Sequence, residues 1–203
     1  SFRMGFTDIV KNKEVDPSVT YNAYSVTKTY TALAVLQLFA KGIIEINNPV
    51  IQYLPEFVYG PEITVKELLN HTAGIPNPIP LDWIHSESEH KIFDRNTFFN
   101  TIFKKNRKTK SEPNEKFEYS NLGYVILGQL IEKVSGKKYE EYITENIIRK
   151  LPVNPDELTF DIRSDETHAT GYHKLCSFSY LFLGLFLDKS KFMGEATGKW
   201  RSF

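Results

Sequence analysis

Apolar residues recur at helical spacing through the middle of this chain and alternate only near its start. From Ser25 the sequence runs Ser-Val-Thr-Lys-Thr-Tyr-Thr-Ala-Leu-Ala-Val-Leu-Gln-Leu-Phe-Ala-Lys-Gly. That run predicts a long helix opening at Ser25, with Leu33, Leu36 and Ala40 on its inward stripe and Gly42 where a C-cap belongs. Over 121–134, Leu122, Val125, Ile126, Leu130 and Val134 fall at helical spacing, and Gly136 closes the segment. A further helix is expected over about 138–150, with Tyr139, Tyr142, Ile143 and Ile147 inward and Pro152 stopping it. Thr64-Val65-Lys66-Glu67 reads as a capping box that opens a short helix through Leu68 and Leu69, ended by His71-Thr72-Ala73-Gly74-Ile75-Pro76. Residues 94–103 also read as helix.

Strand signals are sparse. Phe2, Met4 and Phe6 alternate with Arg3, Gly5 and Thr7, so one strand is expected before the polar turn at 11–18. Residues 43–55 read as a short extended stretch and a turn around Asn47-Asn48-Pro49. Pro76, Pro78 and Pro80 make 77–90 a loop, with Trp83 as its packing anchor. No repeat, heptad array or low-complexity tract interrupts this mostly helical pattern.

Composition narrows the partners. Lys and Arg number 25 against 25 Asp and Glu, which argues against nucleic acid or a membrane surface. The one basic run, Lys104 to Lys110, is followed by Glu112, Glu115 and Glu118 and reads as a solvated loop. Cys176 is the single cysteine, so an intrachain disulfide is excluded. His71, His85, His90, His168 and His173 include no pair at metal-binding spacing flanked by a carboxylate. No metal and no cofactor is therefore expected. The apolar run 175–187 is 13 residues long, short of the roughly 20 that span a bilayer, and is expected to pack in a core or interface. The chain opens at Ser1 with neither a methionine nor the pattern of a signal peptide, as an internal segment of a longer protein would.

Ser25 and Lys28 carry the first candidate chemistry. Residues three apart on a helix share a face, with Cβ atoms roughly 5–6 Å apart, so the lysine can reach the serine hydroxyl and activate it as a nucleophile. The spacing alone is weak, because Ser88-Glu89-His90-Lys91 and Ser135-Gly136-Lys137-Lys138 match it too. Only Ser25 opens a helix, whose N-terminus favours developing negative charge. The competing reading makes Ser25 a plain helix cap.

Tyr119 and Asn121 carry the second. They stand two apart just ahead of a helix, so in an extended approach both side chains point to one side. A phenol beside an ammonium loses its proton more easily, so Tyr119 near Lys28 can take the Ser25 proton. Asn121 then orients Lys28 or meets a polar group of the substrate. The competing reading packs Tyr119 and makes Asn121 the cap of the next helix.

Together, Ser25-Val26-Thr27-Lys28, Tyr119-Ser120-Asn121-Leu122-Gly123-Tyr124 and the intervening Leu68-Leu69-Asn70-His71-Thr72-Ala73-Gly74-Ile75-Pro76 resemble the serine β-lactamase and penicillin-binding protein superfamily. The similar branch includes class C β-lactamases, D-alanyl-D-alanine peptidases and related esterases. The resemblance implies an α+β fold of the β-lactamase/transpeptidase-like kind, mostly its helical lobe here, with the antiparallel sheet incomplete at both chain ends. Residues 1–203 then form a single domain, a fragment lacking early and late sheet strands. It implies Ser25 as acyl-accepting nucleophile, Lys28 and Tyr119 as shared general base and acid, and Asn121 as a substrate-binding and network residue. His71 is expected to hydrogen-bond rather than to catalyse, and Ser120 to face away.

One departure stands out. The family's third motif, Lys or His, any residue, then Gly, is missing; His168-Ala169-Thr170-Gly171 and Ala196-Thr197-Gly198 are the nearest strings. In the family that strand supplies one oxyanion donor. The implied reaction is acyl-enzyme cleavage of a β-lactam, a D-Ala-D-Ala peptide or a small ester. The implied partner is a small-molecule or peptidoglycan-like substrate, and the implied location the periplasm or cell surface. A non-hydrolytic ligand-binding or penicillin-sensor module of the same fold is the alternative.

Overall fold

The computed structural model describes residues 4–78, 92–154, 157–162, 164 and 166–175, together with the backbone of 196–197 and 200–202. Trp83, His85, the Ser88–Lys91 match, His90 and the apolar run beyond Leu175 with Cys176 lie outside the described residues. The chain divides into two compact units, one of which comprises Ala23–Pro78 and Asp94–Phe160.

That larger unit is helical. A single 3-10 turn at Tyr24–Val26 leads into α1, Thr27–Ala40; α2 is Val65–Leu69, α3 Arg95–Lys105, α4 Asn121–Ser135 and α5 Tyr139–Asn146. α4 packs against α1, α2 and α5, and is the centre of the unit. It buries Leu122, Ile126, Leu127, Leu130 and Ile131 against Ala34, Val35 and Leu38 of α1, Leu68 of α2 and Ile143 of α5. Each fully buried Leu or Ile of this set stabilises the fold by about 1.5–3 kcal/mol relative to exposure. Gly136 ends α4 at φ 68°, the left-handed conformation that glycine adopts without a Cβ penalty.

Two sequence expectations are corrected here. On α1 the inward residues are Thr31, Ala34, Val35 and Leu38, whereas Leu33 and Leu36 are 44% and 45% exposed and Ala40 is exposed. The helix is apolar nearly all round, so its periodicity does not select a face and the packing of α4 does. The helix expected over 138–150 is interrupted at Ile147, where ψ falls to −66° with φ at −124°, and a 3-10 turn, Ile148–Lys150, follows α5.

The capping box is present in full. Thr64 N–H donates to Glu67 Oε2 at 2.7 Å, and Glu67 N–H donates to Thr64 Oγ1 at 3.3 Å.

The second unit holds the strands. β1, Phe6–Asp8, pairs antiparallel with β2, Lys13–Glu14. β3, Tyr172–Lys174, β4, Ala196–Thr197, and β5, Trp200–Ser202, form an antiparallel sheet in the order β3-β5-β4. Among the described residues the strands are short, two near the start of the chain and three near its end. Thr197 pairs with Trp200 and Ala196 with Arg201, a register that periodicity over such short strands does not reveal. His168, in the string nearest to a third motif, has its Nδ1 2.9 Å from Thr20 Oγ1 within this unit.

Candidate active site

The site is assembled by two stretches of irregular chain that lie side by side. After α2 the backbone turns through left-handed conformations at His71, φ 59°, and Gly74, φ 66°. The 71–77 stretch then serves as a template for 110–121. Lys110 N–H donates to Gly74 O at 2.8 Å, Asn114 N–H to Thr72 O at 2.8 Å and Glu118 N–H to His71 O at 2.7 Å. Side chains continue the pairing: Ser120 Oγ donates to Pro76 O at 3.0 Å, and Asn121 N–H donates to Asn77 Oδ1 at 3.0 Å. Asn114 also donates to the Glu67 carboxylate of the capping box. Gly74 is required by contact as well as by φ, because a Cβ there would run into the Ser111 carbonyl oxygen.

This pairing delivers Tyr119 and Asn121 to the start of α1. Ser25 Oγ and Tyr119 Oη are 2.8 Å apart. Lys28 Nζ donates to Ser25 Oγ at 3.3 Å and to Asn121 Oδ1 at 2.7 Å. The same Nζ lies 4.9 Å from the centroid of the Tyr119 ring and 5.7 Å from that of Tyr124, within cation–π range of both. All four residues singled out in the sequence therefore meet at one place, linked by hydrogen bonds. Ser135, of another Ser-x-x-Lys match, instead accepts the Lys137 N–H at 3.2 Å at the end of α4.

The competing structural readings are disfavoured by the same geometry. Ser25 lies inside the 3-10 turn and makes no capping bond, and α1 has no side-chain cap at all. The cap of α4 is Ser120, buried, whose Oγ accepts the Gly123 N–H at 3.1 Å. Asn121 is thereby released from capping and its amide oxygen holds Lys28. Ser120 does face away from Ser25, into the protein.

Electrostatics prepare Tyr119. Partial burial pushes its phenol up, but contact with the Lys28 ammonium, the hydrogen bond with Ser25 and the Lys28 charge together outweigh burial and bring it below the ordinary phenol value. Tyr124 moves the other way, raised first by burial and then by the charge of Tyr119. His71 is held below the usual imidazole value by burial and by the charge of Lys28. Tyr119 remains 39% exposed, so the hydroxyl pair is open to a ligand from solvent.

In the sequence Tyr124 stands out only as the last residue of the second motif, with no role of its own, and Asn77 does not stand out at all. Tyr124 stands three residues after Asn121 on α4, hence on the same helical face, and that spacing was the available signal. Asn77 sits in a proline-rich loop with no periodicity to mark it. Among the described residues, no group of three or more His, Cys, Asp or Glu is placed to hold a metal ion, and no helix is long and apolar enough to cross a membrane.

Comparison with known proteins bears out the resemblance and the fold class. Protein flp of Staphylococcus aureus (strain MRSA252) is 30% identical over 175 residues, covering 83% of this chain and 34% of its own length. Penicillin-binding protein 4* of Bacillus subtilis (strain 168) is 32% identical over 154 residues, 75% of this chain and 33% of that protein. The crystal structure of D-amino acid amidase from Ochrobactrum anthropi SV3 complexed with L-phenylalanine amide superposes with a TM-score of 0.68 at 25% identity, covering 84% of this chain and 46% of that one. The chain thus spans about a third of the length of the curated relatives it matches. Residues 2–176 match the Beta-lactamase family, and the chain belongs to that family.

Proposed function

We propose that the chain carries the acylation centre of a serine hydrolase that cleaves an ester or amide, whether a β-lactam, a D-Ala-D-Ala peptide or a small ester. The observation that supports this most strongly is the 2.8 Å contact of Ser25 Oγ with a phenol whose proton affinity Lys28 lowers. Ser25 Oγ attacks the carbonyl carbon of the substrate while Tyr119 Oη accepts its proton. Lys28, anchored by Asn121, stabilises the phenolate and shares in moving the proton. That proton passes to the leaving amine or alcohol as the acyl bond to Ser25 forms and the scissile bond breaks. Water then attacks the ester, and its proton returns to Ser25 by the same route.

The relatives fit this chemistry at a coarse level. One is named a penicillin-binding protein and another a D-amino acid amidase, names that agree with a superfamily of serine acyltransferases and hydrolases. Ser25 also lies ahead of the N-terminus of α1, whose dipole favours the developing negative charge.

The test uses the protein expressed from its complete reading frame, labelled with fluorescent penicillin and with a fluorophosphonate. Labelling is expected in wild type and absent in Ser25→Ala; persistence in Ser25→Ala would overturn the nucleophile assignment. Labelling without turnover of any ester or amide would instead favour a penicillin-binding sensor.

A further inference from the structure

His71 flanks Tyr119 on both sides. Its carbonyl accepts the N–H of Glu118 at 2.7 Å, and its Nδ1 accepts the N–H of Ser120 at 3.1 Å. Its ring lies 4.6 Å from the Tyr119 ring at 35° and 4.9 Å from the Tyr124 ring at 32°, so it fills the space between the two phenols. Phe117 closes the edge at 5.6 Å. One residue thus pins the backbone before and after Tyr119 and sets the plane of its ring. The backbone of His71 adopts φ 59° to do so, a conformation uncommon for residues other than glycine but several-fold enriched in Asn, Asp and His.

The Ser120 contact also selects a protonation state. An Nδ1 that accepts a hydrogen bond carries no proton, so His71 is the neutral Nε2–H tautomer. We propose that His71 is a positioning residue that, while neutral, holds Tyr119 Oη against Ser25 and, on gaining a proton, lets it go, so that the site is inactivated by acid. This rests on the reading of Tyr119 as the base for Ser25.

The surroundings are consistent with it. The charged and titratable groups packed near the imidazole are Lys28 from α1, Tyr119 and Glu118 from the paired stretch, and Tyr124 from α4. Glu118 is engaged by Lys116 at 3.0 Å, and Glu67 of α2 is turned to Thr64 and Asn114. Glu118 Oε2 is buried without a hydrogen-bond partner among the described residues, but the groups that act on the imidazole are its burial and the positive Lys28, and both oppose a proton on His71.

Two variants separate the parts played by the ring and the acceptor. His71→Phe keeps a ring and loses the acceptor; displacement of Tyr119 by even about 1 Å costs on the order of 10²-fold, so a loss of about 10–100-fold in the acylation rate is expected with KM little changed. His71→Asn places an amide oxygen near the Nδ1 position and tolerates positive φ, so it recovers most of that rate and also folds where Phe is strained. In wild type the acylation rate falls in acid through one protonation below the ordinary imidazole value of 6.5. In His71→Asn that limb disappears. An acid limb unchanged in His71→Asn, or full activity in His71→Phe, overturns the proposal. Nitrogen-15 NMR of His71 reads tautomer and titration without any substrate. A protonated Nδ1 at neutral pH also overturns the proposal. The Nε2–H tautomer together with labelling that survives Ser25→Ala supports the clamp and isolates the failure in the functional reading.

Discussion

Replacing Tyr119 by Phe removes one oxygen and leaves the ring between His71 and Lys28. What is lost is the 2.8 Å contact with Ser25 Oγ; Lys28 stays in place, because its shorter bond, 2.7 Å, goes to Asn121. The stability consequence is small. A hydrogen bond contributes a net of about 0.5–1.5 kcal/mol, and one made by a 39% exposed phenol to an exposed serine belongs at the low end. The kinetic consequence is large. A positioned general base contributes about 10²–10⁴-fold to the rate. At 1.36 kcal/mol per tenfold, that is ~2.7–5.4 kcal/mol of the acylation barrier. The barrier change therefore exceeds the stability change several times over, which a merely structural tyrosine cannot produce. Burst kinetics with a chromogenic ester measures acylation, and a urea melt of the same preparation measures stability. An unchanged acylation constant in Tyr119→Phe would refute the base assignment, whatever the melt shows.

Lys28→Met should move the Tyr119 titration up, since Lys28 is the source of most of what lowers it, and tyrosinate absorbance compared with Tyr119→Phe follows this directly. The folded phenol lies below the unfolded value near 10, so the phenolate stabilises the fold fully only above that value and loses the contribution as pH falls through the folded one. Wild type should accordingly gain stability over Lys28→Met in that alkaline window; a Tyr119 titration that does not shift in Lys28→Met defeats this account. Leu38→Ala should cost about 2–5 kcal/mol in this 203-residue chain and Leu36→Ala under about 1 kcal/mol, read from urea denaturation. Equal costs would show that the buried face of α1 is wrongly placed.

Much of the helical unit was readable because its signals are local. α4 shows an apolar stripe and a closing Gly136, and α2 shows its capping box; these occur as the pattern foretells. α1 was readable as a helix but not as a face, since Leu33, Leu36 and Leu38 are equally apolar and only α4 and α5 distinguish Leu38. The short strands escaped because pieces of two or three residues are too brief for alternation to register. In the site, Ser25 and Lys28 were legible as a pair from helical spacing, as were Tyr119 and Asn121 from extended spacing. Which residue caps α4 was decided by burial: Ser120, adjacent to both, is turned inward to Pro76, and Asn121 is left to Lys28.

The sequence by itself determined the parts: a serine and a lysine one turn apart, a tyrosine and an asparagine two apart, and the family to which such motifs belong. It could do so because each pair is set by the local geometry of a few residues. Only the tertiary structure decided that the pairs meet, at 2.8 Å across 94 residues of chain, and that His71 pins the stretch between them. Those contacts depend on the 71–77 turn lying along 110–121, an arrangement made by backbone hydrogen bonds and left-handed φ angles. Backbone groups are alike at every position, so no choice of side chains along the chain announces where they will pair.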